Sequence, residues 1–150
     1  VTQTVLITGA GGGIGTALCH KFRDAGYNVI GMEHPDIEFP DTCTAKVSAD
    51  LKTLCHDQSY REDIISQVQS HLPNKSLEAL INNAAIQILD PVERLTADNW
   101  HTTLDINLVA PFLLIQALSQ NLTVGQGSVV NIASIHSILT KPGFVCYATS

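Results

Sequence analysis

Thr8-Gly9-Ala10-Gly11-Gly12-Gly13-Ile14-Gly15 stands between an apolar run, Val5-Leu6-Ile7, and a stretch with helical periodicity. That order constrains the fold more than anything else in the chain. A short apolar β-branched run reads as a buried strand. Beyond the turn, Ile14, Leu18, Phe22 and Ala25 share one helical face, and Gly26 stands where a helix-ending glycine is expected. Glycines tolerate positive φ, let the backbone approach an anion, and let helix and strand pack closely. The free N–H groups and the positive dipole end of the helix then favour a phosphate. A flexible loop would use the same glycines differently, so the turn needs a second feature to become a dinucleotide site.

Glu33 supplies it. A second strand, Asn28 to Met32, ends at this acid, close to the ~20-residue spacing at which a carboxylate meets the ribose hydroxyls of NAD. A carboxylate there repels a 2′-phosphate, and the turn carries no basic residue, with Gly12 at its central variable position. The expected cofactor is therefore NAD rather than NADP. The alternative is a Glu33 that points to solvent.

The rest of the chain alternates. His34 to Cys43 reads as a loop, Ala45 to Ala49 as a third strand closed by Asp50, and Ser59-Tyr60-Arg61-Glu62 as a capping box. Ile64, Ile65, Val68 and Leu72 give the following helix its apolar face, and Pro73-Asn74 ends it. Leu77 to Asn82 is a fourth strand, Thr96 caps a long helix to about Asn121, and Gly127 to Ile132 is a fifth strand. Such alternation implies right-handed crossovers and a doubly wound parallel α/β sheet of the Rossmann type. Ligands bind such sheets beyond the carboxyl ends of the strands. The glycine turn, Glu33, Asp50, Asn82-Asn83 and Ser134 all lie at those ends.

Length and charge set further limits. At 150 residues the chain is expected to be one NAD-binding domain, and 45% hydrophobic content supports a substantial core. A net charge of −6 argues against nucleic acid or an anionic membrane as partner. Leu108 to Ile115 is the nearest approach to a membrane span; it is short and contains Pro111. No secretory signal precedes the first strand, so a cytoplasmic location is expected. Cys19, Cys43, Cys55 and Cys146 show no metal or C-x-x-C spacing and are expected to be free thiols. The six histidines form no H-x-x-x-H pair, so no metal is expected.

Taken together, the motifs resemble the short-chain dehydrogenase/reductase family across essentially the whole chain. Thr8-Gly9-x-x-x-Gly13-x-Gly15 is similar to its cofactor turn, and Asn82-Asn83-Ala84-Ala85 to its N-N-A-G motif, with Ala85 in place of Gly. Gly12 and Gly15 also satisfy the extended branch of the family, but the Asn82-Asn83 pair favours the shorter one. Asp50-Leu51 falls where the family's adenine-contacting Asp lies. Asn107, Ser134 and Tyr147 match its catalytic Asn, Ser and Tyr in order and spacing. The resemblance implies cofactor contacts from Thr8, Gly9, Gly11, Gly12, Gly13, Ile14, Gly15, Glu33, Asp50, Leu51, Asn83, Ala84, Ala85 and Tyr147. It also implies a small-molecule substrate and a homo-oligomer in the intact form. Family members run about 100 residues longer, and the Lys that follows the Tyr by four would fall just past Ser150. The sheet is accordingly expected to be incomplete at its C-terminal side, and the 150 residues alone to show at most trace activity.

The implied chemistry is reversible hydride transfer between a nicotinamide and a small secondary alcohol or ketone. Such a reaction needs a group that gives or takes the proton of the substrate oxygen, and a phenol, ordinarily with pKa ~10, does so best beside positive charge. Tyr147 takes this role, and Ser134 hydrogen-bonds the same oxygen. Pro111 has no N–H for the Asn107 carbonyl, so the helix should bend there and leave that carbonyl unpaired. In the family that carbonyl holds a water of the proton path; a merely kinked core helix is the alternative. Gln87 and His136 are similar to the carboxylate-binding Gln and His of 3-hydroxybutyrate dehydrogenases, although Phe144 replaces a Lys those enzymes carry, and Lys141 could add charge instead. A sugar, polyol or other small hydroxy compound fits equally well, and the alternative for His136 is an ordinary loop residue. The competing function is a nucleotide-binding or structural module without turnover.

Overall fold

A computed structural model describes residues 2–150. Five parallel strands form one sheet in the order β3-β2-β1-β4-β5. They are β1 Thr4–Thr8, β2 Asn28–Glu33, β3 Ala45–Ser48, β4 Ala79–Asn82 and β5 Ser128–Asn131. The order reverses direction between β1 and β4. The connections leaving the carboxyl ends of these two strands run to opposite sides of the sheet, and a crevice opens above them.

Alternation along each strand decides what each face packs against. Leu6, Ile30, Met32, Val47 and Leu80 point to one side. There they meet α2 (Leu51–His56), α3 (Gln58–Ser70) and α5 (Ala110–Gly125) through Leu54, Ile64, Ile65, Val68, Leu114, Leu118 and Leu122. Val5, Ile7, Val29 and Ile81 point the other way, toward Cys19, Leu18 and Phe22 of α1 (Gly13–Asp24). β5 is exposed along its length, with Val129 and Val130 on the surface.

Two local expectations are corrected and one is made specific. Ile14 is exposed rather than inward; Gly15 and Cys19 are the buried positions of α1, because the helix must press on the glycine turn itself. Ser59 does not begin a helix: Asp57 caps α3, its carboxylate accepting from the Tyr60 N–H at 3.0 Å. The separate short helix α2 precedes it, capped by Asp50, which accepts from the N–H groups of Lys52 and Thr53. The bend before Pro111 is a π turn, Asp105–Val109, joining α4 (Ala97–Leu104) to α5, with the Ala110 N–H donating to the Asp105 carbonyl.

That π turn keeps the helix continuous. Ala97–Gly125 is a single helical stretch of 29 residues, long and apolar enough by length and composition to cross a membrane, which corrects the expectation drawn from Leu108 to Ile115. Its inner face is committed to the sheet through Ala110, Leu114, Leu118 and Leu122. Leu118, fully buried at the centre of this contact, should be expensive to truncate. Leu118→Ala is expected to cost about 2–5 kcal/mol, read as a lower urea midpoint with an unchanged m-value.

Candidate dinucleotide cleft and catalytic cluster

The glycine turn owes its shape to two close approaches. Gly9 has φ +65°, and a Cβ there would stand 2.8 Å from the Ala84 Cα. A Cβ on Gly15 would collide with the Gly9 carbonyl. Behind the turn, the Thr8 hydroxyl accepts from the N–H groups of Asn83 and Ala84, both at 3.0 Å. The Asn83 amide donates to the carbonyls of Thr8 and Gly9 at 3.0 and 3.1 Å. The end of β1 is thereby tied to the end of β4, across the switch in strand order.

In front of the turn lies a cleft of about 710 Å³. Gly9, Gly12, Gly13, Ile14, Glu33, Asp50, Leu51, Asn83, Ala84 and Ala85 line it, together with Met32, His34, Ile37, Ala49, Ile86 and Ile106. Of the residues expected to contact the cofactor, Thr8, Gly11, Gly15 and Tyr147 do not line the cleft. Of the residues missed from sequence, Ile86 and Ala49 simply flank motifs. His34 and Ile37 sit in a segment without periodicity, and Ile106 is brought in by the π turn.

Glu33 does not point to solvent. Its carboxylate accepts from the N–H groups of Gly11 and His34, each at 2.8 Å. The segment after it folds over Gly11, so a side chain at Gly11 would strike the Glu38 carbonyl and the Ile37 methyl. At Gly12 the nearest obstacle is the Gly9 carbonyl at 3.5 Å, and Gly13 faces open space. Burial raises the Asp50 carboxyl; the Thr53 hydroxyl, the Lys52 and Thr53 N–H groups and the charge of His34 outweigh it and hold the group below the usual carboxylate range. Opposite Asp50, α2 clamps the π turn. His56 Nε2 lies 2.7 Å from Asp105 Oδ2, and the Cys55 thiol donates to the Asp105 carbonyl at 3.3 Å.

A second group of residues gathers beyond β4 and β5. The Asn107 side chain accepts from the Ile86 N–H at 2.8 Å and donates to the Ile86 carbonyl at 3.0 Å and to Ser150 Oγ at 2.8 Å. Ser150 Oγ donates in turn to the Tyr147 carbonyl at 2.9 Å, within the end of α6 (Val145–Thr149). Ser134 follows β5, and its hydroxyl accepts from the His136 N–H at 3.2 Å. The His136 ring stacks on Phe144 at 4.2 Å and meets the Tyr147 ring edge-on at 6.0 Å. Lys141 Nζ lies 4.6 Å from the centre of the Phe144 ring. His136 is thus tied to Ser134 through its N–H and to Tyr147 through its ring, while Asn107 joins the end of α6 to the cleft wall through Ser150 and Ile86. Gln87 is exposed next to Ile86 and lines neither the cleft nor the second cavity beside His136.

Comparison with known proteins agrees with this fold. The family model described as short chain dehydrogenase matches residues 3–150. The chain belongs to the short-chain dehydrogenase family. It is 32% identical to the protein FixR of Bradyrhizobium diazoefficiens over 99% of its length, covering 56% of that protein. An oxidoreductase of the same family from Brucella ovis, solved with a partially ordered NAD, superposes with a TM-score of 0.86 at 29% identity, over 99% of this chain and 71% of that one. A Beutenbergia cavernae structure assigned as an NAD(P)-dependent gluconate 5-dehydrogenase, with NADP bound at low occupancy, superposes at 0.79 with 25% identity, over 98% and 60%. The chain spans a little over half the length of the curated relatives it matches.

Gly13 and Gly15 separate shape from ligand approach. Gly15→Ala is expected to destabilise the fold, because its methyl must displace the Gly9 carbonyl. Gly13→Ala should leave the thermal midpoint within a few degrees while weakening dinucleotide binding. Calorimetry on both variants, with and without cofactor, checks the pair.

Proposed function

We propose that this protein is an NAD-dependent dehydrogenase of small secondary alcohols, in which 1–150 forms the nucleotide-binding domain. The observation that carries the reading is the placement of Glu33. Its carboxylate is fixed on the cleft wall by two backbone N–H groups, so a negative charge already stands where the ribose edge would lie. A ribose diol can donate hydrogen bonds to that charge, whereas a 2′-phosphate meets repulsion. The cradle fits such a ligand: Gly12 and Gly13 leave the start of α1 open, and its N–H groups and dipole suit a pyrophosphate. Ile14, Ile37 and Leu51 supply apolar walls for the adenine side.

When bound, the nicotinamide supplies or accepts the hydride. This chain's residues handle the proton and the geometry. Tyr147 exchanges the proton of the substrate oxygen through its hydroxyl. Ser134 hydrogen-bonds the same oxygen and lowers the cost of charge developing there. Asn107 holds Ile86 and Ser150 at fixed distances, so the cleft wall and the end of α6 keep their registration while the substrate is positioned. His136, stacked on Phe144 and meeting the edge of Tyr147, narrows the opening to small substrates. Their polar groups, of a hydroxy acid, sugar or polyol, would meet His136 and Lys141. The dehydrogenases among the relatives, including a 2-dehydro-3-deoxy-D-gluconate 5-dehydrogenase from Bacillus subtilis, favour a catalytic reading over a binding module.

Titration calorimetry with both cofactors tests the nucleotide choice. NAD should bind more tightly, and Glu33→Ala should narrow the gap; tighter NADP binding by the unmodified protein overturns the assignment. Tyr147→Phe, in the full natural protein, should lower turnover of hydroxy acids, polyols and simple secondary alcohols by roughly 10²–10⁴-fold and leave NAD affinity nearly unchanged. Near-normal turnover in that variant removes Tyr147 from the mechanism.

A further inference from the structure

Cys19 and Cys43 are separated in sequence and meet in the fold. Cys19 lies on α1 and is fully buried, while Cys43 lies just before β3 and is half-buried. Their sulfurs are 3.8 Å apart. Gly31 of β2 leaves room for the contact: a Cβ there would stand 2.5 Å from the Cys43 sulfur, which would have to shift from its present position. The backbone around Cys43 is pinned as well. The Cys43 N–H donates to the Pro40 carbonyl at 3.2 Å, and the Thr44 N–H to the Val29 carbonyl at 2.7 Å. The Thr44 hydroxyl accepts from the Val29 N–H at 3.0 Å and from Arg23 at 3.1 Å. The other two cysteines are engaged elsewhere, Cys55 with the Asp105 carbonyl and Cys146 with Thr103 Oγ1 at 3.2 Å.

We propose that Cys19 and Cys43 form a thiol–disulfide exchange site whose reaction partner is a small-molecule disulfide of the glutathione class. The more exposed member of the pair reacts first. The hydrogen bond shared with Cys19 holds Cys43 below the ordinary thiol range against the opposing effect of burial, helped by the charge of Lys46 and the Gly31 backbone. The same hydrogen bond, with burial, pushes Cys19 up. The Cys43 thiolate attacks one sulfur of oxidised glutathione; that S–S bond breaks, and one glutathione leaves as a thiolate that takes a proton from water. Cys19 then gives its proton to water, its sulfur attacks the Cys43 sulfur, and the second glutathione is expelled. Two protein thiols become one disulfide, and one glutathione disulfide becomes two glutathione thiols. The sulfurs must close from 3.8 Å to about 2.05 Å. The product ties α1 to the β2–β3 connection, the same connection that folds over Gly11 beside the cleft.

The purified protein is incubated with oxidised glutathione, quenched in acid, alkylated and mapped by peptide mass spectrometry. The unmodified protein should yield a Cys19–Cys43 cross-linked peptide that excess reduced glutathione reverses. Cys19→Ser should stop with one glutathione on Cys43, and Cys43→Ser should leave Cys19 free. Burial pushes Cys55 up to about 11, with Asp105 adding to the effect, so its modification should be at least about 10-fold slower than that of the pair. Both thiols remaining free in the folded, unmodified protein, or glutathione settling first on Cys55 or Cys146, overturns the proposal. So does an unmodified Cys43 in Cys19→Ser. The measurement on the unmodified protein stands by itself if either serine variant fails to fold.

Discussion

The Gly9 carbonyl and the Cα of Gly15 share a space too small for one additional methyl group. Much of the molecule depends on that proximity. It sets the angle at which α1 leaves β1, and so which face of the sheet α1 covers with Cys19, Leu18 and Phe22. It also leaves the first N–H groups of the helix facing outward over the strand ends, where an anion can reach them. The turn could not hold this shape alone. Thr8 and Asn83 fix it from behind, so β4 and the glycine turn form one rigid floor under the cleft.

The π turn at Asp105–Val109 has a comparable role on the opposite wall. Widening the helix by one residue rotates its C-terminal part, so that Ala110, Leu114 and Leu118 still pack on the sheet while Asn107 reaches Ile86 and Ser150. Pro111 makes the widening inexpensive, since it has no N–H to lose. The His56–Asp105 contact and the Cys55 thiol then hold the widened segment from the α2 side.

The strands and the glycine turn were legible because their signals are local: apolar runs bounded by glycine or acid, at spacings a short crossover allows. The family resemblance extended this to Asn107, Ser134 and Tyr147, whose clustering no periodicity could reveal. Illegible features share a different cause. Ile14 reads as inward on a helical wheel, but a wheel does not know that the glycine turn occupies the inner side of the first helical turn. Asp57 and Asp50 both make good caps, and choosing between Asp57 and Ser59 requires knowing that a short helix already ends at His56. The Cys19–Cys43 contact uses room left by the absent side chain of Gly31 in a third element. Sequence spacing carries no trace of that arrangement.

Cofactor choice shows how far a charge argument from sequence can go. Glu33 was identifiable as a negative charge near a ribose, but its effect depends on orientation, and the family settles nothing, because structures related to this one hold either NAD or NADP. Orientation comes from the backbone: the N–H groups of Gly11 and His34 draw the carboxylate against the glycine turn. This has a second consequence for the turn. With Ile37 and the Glu38 carbonyl folded over Gly11, a cationic side chain that could neutralise a 2′-phosphate has no room there. Gly12 does have room, with only the Gly9 carbonyl near, but it carries no charge to set against that of Glu33. On the proposed NAD reading, selectivity against the phosphate would rest jointly on one carboxylate and one crowded glycine, and relieving either alone would leave the other in place.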